Sequence, residues 1–352
     1  MLTARENALR NARFQGPEYI PCRVVLVHAT RALHGRELEP VLARYPLLFP
    51  DFVPGQCDYD NYPFPPKQSV GELIDPWGCT WRCALDGMVG TVVEHPLADW
   101  SALDGYRPPP AVPMDAHQIT GDWLDAARQV RHAKQHGHLA TGSIYHGFFF
   151  MRLTYLRGFE NLLCDLVERP PQLPRLMEMV ADQVDGTVRR WLDLDVDLLH
   201  FGEDLGTQTG PILSPAMFAE FVTPVYRRLM RPARSAGKLV YLHSDGHVLD
   251  LLDEFENAGV DIINPQDLVN GIDNLARHAK GRFCISLDID RQSVVPFGSP
   301  RDIHDLIAEG VRKLGDPAGG LELVIGIIPP TPIRNIEAVC EAFMKFRTYF
   351  WD

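Results

Sequence analysis

The residues whose types and spacing could do the most chemistry are His243, Ser244 and Asp245, which follow the apolar run Leu239, Val240, Tyr241 and Leu242 and precede Gly246. The run has strand length, Gly237 stops the element before it, and Gly246 permits a tight turn into the amphipathic stretch from Val248 to Ala258, which Gly259 closes. A strand ending in imidazole and carboxylate could ligate a metal through His243-x-Asp245, because nitrogen and oxygen donors suit Zn2+ with an open catalytic position. Glu203, at the end of another predicted strand, would be the third ligand. The plainer reading has His243 donating to a backbone carbonyl and Asp245 capping the next helix.

The same arrangement recurs along the chain. Predicted strands over Arg23–Val27, 139–145, 194–201, 260–263, 283–287 and 321–325 each run into polar or turn-forming residues. Those ends carry Tyr145 and His146, Glu203 and Asp204 with Gln208 beyond, Asn264, Gln266 and Asp267, and Asp288 and Asp290. Between them lie helical stretches over 115–136, 158–167, 172–192, 214–236 and 299–314, with Ser214-Pro215, Ser299-Pro300 and Thr331-Pro332 as start signals. Alternating strands and helices predict parallel βαβ units and a (β/α)8 TIM barrel, whose strand ends converge on one mouth. A doubly wound sheet is the alternative, but no Gly-x-Gly-x-x-Gly follows a strand to support it. Carboxylates gathered at one mouth repel each other and call for a metal, a cationic substrate or protonated acids.

The whole 352-residue chain reads as one such domain. It opens with a cationic amphipathic helix over Thr3–Phe14. Residues 40–113, rich in Pro, Gly and aromatics, read as an excursion capping the mouth, with Trp77 as a wall of the site or part of a packed corner. A net charge of -12 argues against nucleic acid or anionic membrane as partner. No apolar run is long enough to span a bilayer, and the charged N-terminus is unlike a signal peptide, so a cytoplasmic location is expected. Seven scattered cysteines suit free thiols; Cys79-x3-Cys83 lacks the further ligands of a zinc site.

Taken in order, the start from Thr3 to Pro21, Asp75-Pro-Trp-Gly-Cys79, Glu203-Asp-Leu-Gly-Thr-Gln208, His243-Ser-Asp-Gly246, Ala258-Gly-Val-Asp-Ile-Ile-Asn-Pro265 and Pro329-Pro-Thr-Pro332 resemble the uroporphyrinogen decarboxylase superfamily. The resemblance implies a (β/α)8 barrel and one of two activities. Porphyrinogen decarboxylases carry arginines that grip substrate carboxylates, whereas Pro21–His28 here holds only Arg23. The corrinoid-linked methyltransferases hold zinc by His-x-Cys and a distant Cys. Here Asp245 replaces the first cysteine and Ile327 the second, which leaves an oxygen-rich site.

The leading expectation is a methyltransferase or demethylase that moves a methyl group from a small methylated substrate to a thiol or to a corrinoid carried by a partner protein. His243, Asp245 and Glu203 are assigned to metal or acid chemistry, with Zn2+ as the candidate ion. Asp204, Gln208, Tyr145, His146, Asn264, Asp288 and Trp77 are assigned to the substrate. A carboxy-lyase of the porphyrinogen decarboxylase type is the first alternative, and a non-catalytic ligand-binding barrel the second. The resemblance also allows a homodimer.

Overall fold

The computed structural model describes residues 2–113 and 121–351. Ten strands form two sheets: β1 (Cys22–Leu26), β2 (Gly71–Ile74), β3 (Thr80–Cys83), β4 (Thr91–Glu94), β5 (Thr141–Ser143), β6 (Leu198–Asp204), β7 (Leu239–Asp245), β8 (Ile262–Pro265), β9 (Cys284–Asp288) and β10 (Leu321–Ile327). Seven make one parallel sheet in the order β1-β10-β9-β8-β7-β6-β5, with helices between successive strands. This is the α/β barrel that the alternation predicts. Among the described residues the barrel sheet has seven strands, with β1 and β5 at its edges and no pairing between them.

In the chain between β1 and β5, β2, β3 and β4 form a separate antiparallel sheet. Its composition explains why. Strands buried on both faces need continuous apolar runs, whereas Thr80, Trp81, Arg82 and Cys83 place Arg82 in solvent between buried neighbours. This sheet packs on the helix Phe150–Arg157, where the Trp81 and Tyr155 rings meet edge to face at 5.0 Å.

The parallel strands run further than their apolar stretches suggest. Glu203, Asp204, His243 and Asp245 lie within β6 and β7, so strict alternation decides where each points. On β6, Leu199, Phe201 and Glu203 share one face, and Leu198, His200, Gly202 and Asp204 the other. Register aligns His200 with Tyr241, Gly202 with His243, and Asp204 with Asp245. The second set faces the barrel interior.

The outer helices bury one stripe each. Pro300–Leu314, started by a Ser299 and Asp302 capping box, buries Ile303, Leu306, Ile307, Val311 and Leu314 at helical spacing. Ser214 caps the helix at Pro215, which passes through a π-type turn over Phe218–Val222 before continuing as Thr223–Ser235 with Pro232 inside it. The start of the stretch predicted as helix over 115–136 lies outside the described residues; Trp123–Gln135 is helical.

The helix Ala4–Ala12 closes the amino-terminal end of the barrel. Ala12 and Leu9 pack against Leu198, Leu239, Tyr241, Ile262 and Cys284. Phe14, the last residue of the expected helix, is 37% exposed, while Asn7 and Asn11 are buried. Those amides are buried because they are used: Asn7 Oδ1 accepts from Glu18 N at 2.7 Å, and Asn11 Oδ1 from Gly320 N at 3.1 Å. All seven cysteines are unpaired thiols. No helix of the described residues is long and apolar enough to cross a membrane.

Candidate functional site

His243 is oriented from behind. Its Nδ1 lies 2.7 Å from Asn264 Oδ1, and Asn264 Nδ2 donates to the Ser286 carbonyl at 2.6 Å. The second bond decides which end of the Asn264 amide faces the imidazole, so Oδ1 accepts and Nδ1 must carry the proton. The neutral ring therefore turns the lone pair of Nε2 toward the mouth. That nitrogen faces two carboxylates, Asp245 Oδ1 at 3.5 Å and Asp204 Oδ1 at 3.9 Å.

Asp204 Oδ1 is the unsatisfied atom of the site. It is buried and accepts no hydrogen bond, although His146 Nε2 approaches to 3.3 Å. Burial works against the Asp204 anion, yet His146 and His243 outweigh it and hold its pKa below the usual carboxylate range. For His146 burial again opposes the charge, while Asp204, supported by Glu203 and Asp245, draws its pKa above the ordinary value. One donor atom each from His146, Asp204 and His243 lie within 4.8 Å of one another, a spacing that a single cation could bridge. Gly202 makes room for this: a Cβ there would lie 2.9 Å from His146 Cδ2.

Glu203 is not part of that group. Its alternation on β6 sends it away from the interior, fully buried, where Oε1 accepts from Phe149 N at 2.5 Å and Oε2 from Met151 N at 2.9 Å. Burial raises its pKa to about 7 against the pull of those two amides. The carboxylate thus holds the start of the helix Phe150–Arg157, and Met151 returns a contact, its Sδ accepting from Asp204 N at 3.0 Å. Glu203, expected as a metal ligand, is thus engaged with the Phe149 and Met151 amides on the outer face of β6.

Asp245 is also engaged elsewhere. Arg291 Nη2 donates to Asp245 Oδ1 at 2.6 Å and Oδ2 at 2.8 Å, and its Nη1 lies 3.4 Å from Asp288 Oδ2. One guanidinium thus offsets two of the clustered acids, although Arg291 stands outside the strand-end residues that the sequence singles out. Of the expected set His243, Asp245 and Glu203, only His243 lies in the group that gathers donor atoms of His146, Asp204 and His243. The other assigned residues divide. Asn264 and Asp288 reach the site through His243 and Arg291. Tyr145 points outward, its hydroxyl donating to Gln183 Oε1 at 2.8 Å. Trp77 is buried against Arg152 and Tyr145, and Gln208 sits in an exposed turn. Asp290 receives Ser293 and Val294 amides, and Gln266 receives Gly246 N.

The turns after β6 and β7 touch. Leu205 N donates to Ser244 Oγ at 2.9 Å, Gly206 N to the Asp245 carbonyl at 3.2 Å and His247 N to the Thr207 carbonyl at 2.7 Å. A Cβ on Gly246, whose φ is +83°, would fall 2.2 Å from the Gly206 carbonyl.

Residues 77–346 match the family model described as uroporphyrinogen decarboxylase (URO-D). The chain belongs to the uroporphyrinogen decarboxylase family. Among curated relatives, a uroporphyrinogen decarboxylase of Prochlorococcus marinus (strain MIT 9303) is 26% identical over 49% of this chain and 48% of its own length. One of Synechococcus sp. (strain CC9605) is 22% identical over 72% and 70%. The match to the Prochlorococcus relative thus spans about half its length. Among solved structures, a methyltransferase from Methanosarcina mazei superposes with a TM-score of 0.65 at 13% identity, covering 98% of this chain and 99% of that one. That likeness shows a shared fold.

Within the family barrel, the zinc set of two thiolates and an imidazole does not fit this chain. Asp245 is bound to Arg291, and Ile327 is a fully buried apolar residue. Cys79 and Cys83 donate to backbone carbonyls, and burial raises the Cys79 thiol to about 12. The nitrogen and oxygen donors of His146, Asp204 and His243 do fit a divalent cation, because the buried Asp204 Oδ1 accepts no hydrogen bond of good geometry and faces two imidazole nitrogens.

Proposed function

We propose that this family member is a methyltransferase that takes a methyl group from nitrogen or oxygen of a small substrate and passes it to a corrinoid held by a partner protein or to a thiol. The observation that carries this reading is the buried Asp204 Oδ1, which accepts no hydrogen bond and lies between the imidazoles of His146 and His243. A zinc ion held by these three residues would supply Lewis acidity toward the heteroatom that bears the methyl group.

The chain's own residues have defined tasks. As the methyl group leaves, the heteroatom keeps the bonding electron pair and needs a proton or a positive charge. Asp204 Oδ1, 3.3 Å from His146 Nε2, would hold that ring in place within the donor group. Asn264 keeps His243 from turning, and Arg291 offsets the charge of Asp245 and Asp288 so that it does not accumulate beside the substrate. The likeness to the Methanosarcina mazei methyltransferase along nearly all of both chains supports the reading.

The test is metal content and methyl transfer measured together, in wild type and in His146→Ala and Asp204→Ala. Near-stoichiometric zinc, methylation of reduced corrinoid or thiol, and loss of both in the variants are expected. The curated relatives are named for decarboxylation, which supports a carboxy-lyase as the second reading. Carbon dioxide release without any methyl acceptor, unchanged by the same substitutions, would replace the first reading with the second.

A further inference from the structure

A small cavity lies between the turns that follow β8 and β9. Asp267 comes from the first turn, Asp288, Asp290 and Arg291 from the second, and a bridge between Gln266 and Asp288 holds the two side by side. The space is about 10 Å3, which just admits one particle the size of a water molecule. It is separate from the donor group of His146, Asp204 and His243, none of which lines it.

Two observations give the cavity a sign. Asp267 is 1% exposed; its Oδ1 accepts from Leu268 N at 2.6 Å, while its Oδ2 is buried without any hydrogen-bond partner. A buried carboxylate oxygen left unpaired is costly, so something positive or protic belongs beside it. The charges around the cavity point the same way. Asp288 is buried beside it, and Asp290 is fixed there by the amides of Gln292, Ser293 and Val294. Among the described residues Arg291 is the one cation that lines the cavity, and it is committed elsewhere: Nη2 donates to both oxygens of Asp245, and Nη1 lies 3.4 Å from Asp288 Oδ2. Three carboxyl groups beside one shared guanidinium leave an excess of negative charge.

We propose that this cavity is a site for a monovalent metal ion, potassium, held by Asp267 Oδ2 and the Asp288 carboxylate, with Gln266 Oε1 as a neutral ligand. Gln266 Oε1 accepts from Gly246 N at 3.0 Å and keeps a second lone pair. Spacing selects the ion. Mg2+ and Ca2+ draw their oxygens in to about 2.0–2.6 Å and so need ligand atoms close to one another. Among the described residues, His146, Asp204 and His243 are the one group whose donor atoms all come within 4.8 Å of one another, so the acids of this cavity stand further apart. Potassium, about as large as water, suits that wider spacing. The ion would tie the turn after β8 to the turn after β9, and the second turn carries the guanidinium that offsets Asp245. Without potassium the same oxygen keeps a proton, because burial disfavours the bare anion. The site does not depend on the methyl-transfer reading.

The experiment uses two readouts on the full chain. Thermal unfolding is compared in potassium chloride and in choline chloride at the same ionic strength of about 0.1 M, so that screening is equal in the two. Potassium should raise the wild-type midpoint by about 2 °C or more, because an ion bound only by the folded state stabilises it by mass action. Asp267→Asn, which keeps the shape of the side chain and removes its charge, should show no such difference. Thallium(I), a heavy stand-in for potassium, is then soaked into wild-type crystals, and an anomalous peak in contact with Asp267 Oδ2 and Asp288 is expected. The diffraction readout decides the matter even if Asp267→Asn does not fold. Equal midpoints for wild type in the two salts, an equal potassium gain in Asp267→Asn, or a cavity without thallium overturns the proposal.

Discussion

Asn264 Oδ1 sits 2.7 Å from His243 Nδ1, and this contact determines which nitrogen of the imidazole is available to the site. Replacing Asn264 with Leu removes the acceptor and frees the ring to rotate. Zinc affinity, measured by competition with a chelating dye, should fall by about 10–100-fold. Asn264→Asp, which keeps an acceptor at that place, should retain most of it. Equal affinity in wild type and Asn264→Leu would show that nothing binds through His243.

Gly202 offers a test that changes no ligand. Its added Cβ would meet His146 Cδ2 at 2.9 Å, so Gly202→Ala must push the ring away from Asp204. A loss of at least tenfold in metal affinity, with the unfolding midpoint little changed, is expected on the order of the cost of misplacing one ligand. Wild-type affinity in this variant would remove His146 from the donor set.

Glu203 should behave as a structural acid. In Glu203→Gln one amide N–H2 must face a backbone N–H of Phe149 or Met151, leaving donors opposed in a fully buried place. Urea denaturation should show a loss of about 1–3 kcal/mol. A fully stable variant without activity would instead give Glu203 a direct part in the chemistry.

Arg291→Met strips the counter-charge from Asp245 and Asp288. Because Arg291 and Asp245 retain some solvent, roughly 2–3 kcal/mol should be lost, less than for a fully buried pair. Adding Asp245→Asn should recover part of that loss. If the double variant is no more stable than the single one, the two side chains are not coupled.

Asp267 predicts a pH dependence. It is 1% exposed, its Oδ2 has no partner, and burial raises its pKa to about 8. The unfolded carboxyl releases its proton near pH 3.9, whereas the folded one keeps it until about 8. The folded state thus binds more protons between these values. The contribution is fully present below pH 4 and is lost as pH rises toward 8, at up to about 1.4 kcal/mol per pH unit. Asp267→Asn should flatten the stability profile across this window. Parallel profiles for the two proteins would mean that Asp267 is ionised in the folded state.

The barrel was legible because strand-length apolar runs alternate with capped helices, and the starts at Ser214 and Ser299 lie where those residues signal them. The site was legible in part. His243, Asp204, Asn264 and Asp288 stand at strand ends, as read from the sequence. Choosing between the adjacent acids Glu203 and Asp204 required knowing that β6 continues through both, because a strand sends neighbours to opposite faces. Counting in twos from Leu198 would have selected Asp204. Arg291 offered a weaker signal, since Asp288 and Arg291 stand three apart in a turn with no periodic element to relate them. The small antiparallel sheet of β2, β3 and β4 was hidden by composition, because a Pro-rich and aromatic stretch reads as loop even where it builds a sheet.

The contact between Gly206 and Gly246 limits how this barrel can diversify. Loops at the carboxyl ends of barrel strands are ordinarily exchanged one at a time, each bringing its own specificity. Here the loops after β6 and β7 would have to change together, since neither glycine can gain a side chain without displacing the other turn. New substrates would therefore be reached more readily by remodelling the β1 and β5 sides, where no strand pairing closes the sheet among the described residues, than by changing the segment that carries Asp204, His243 and Asp245.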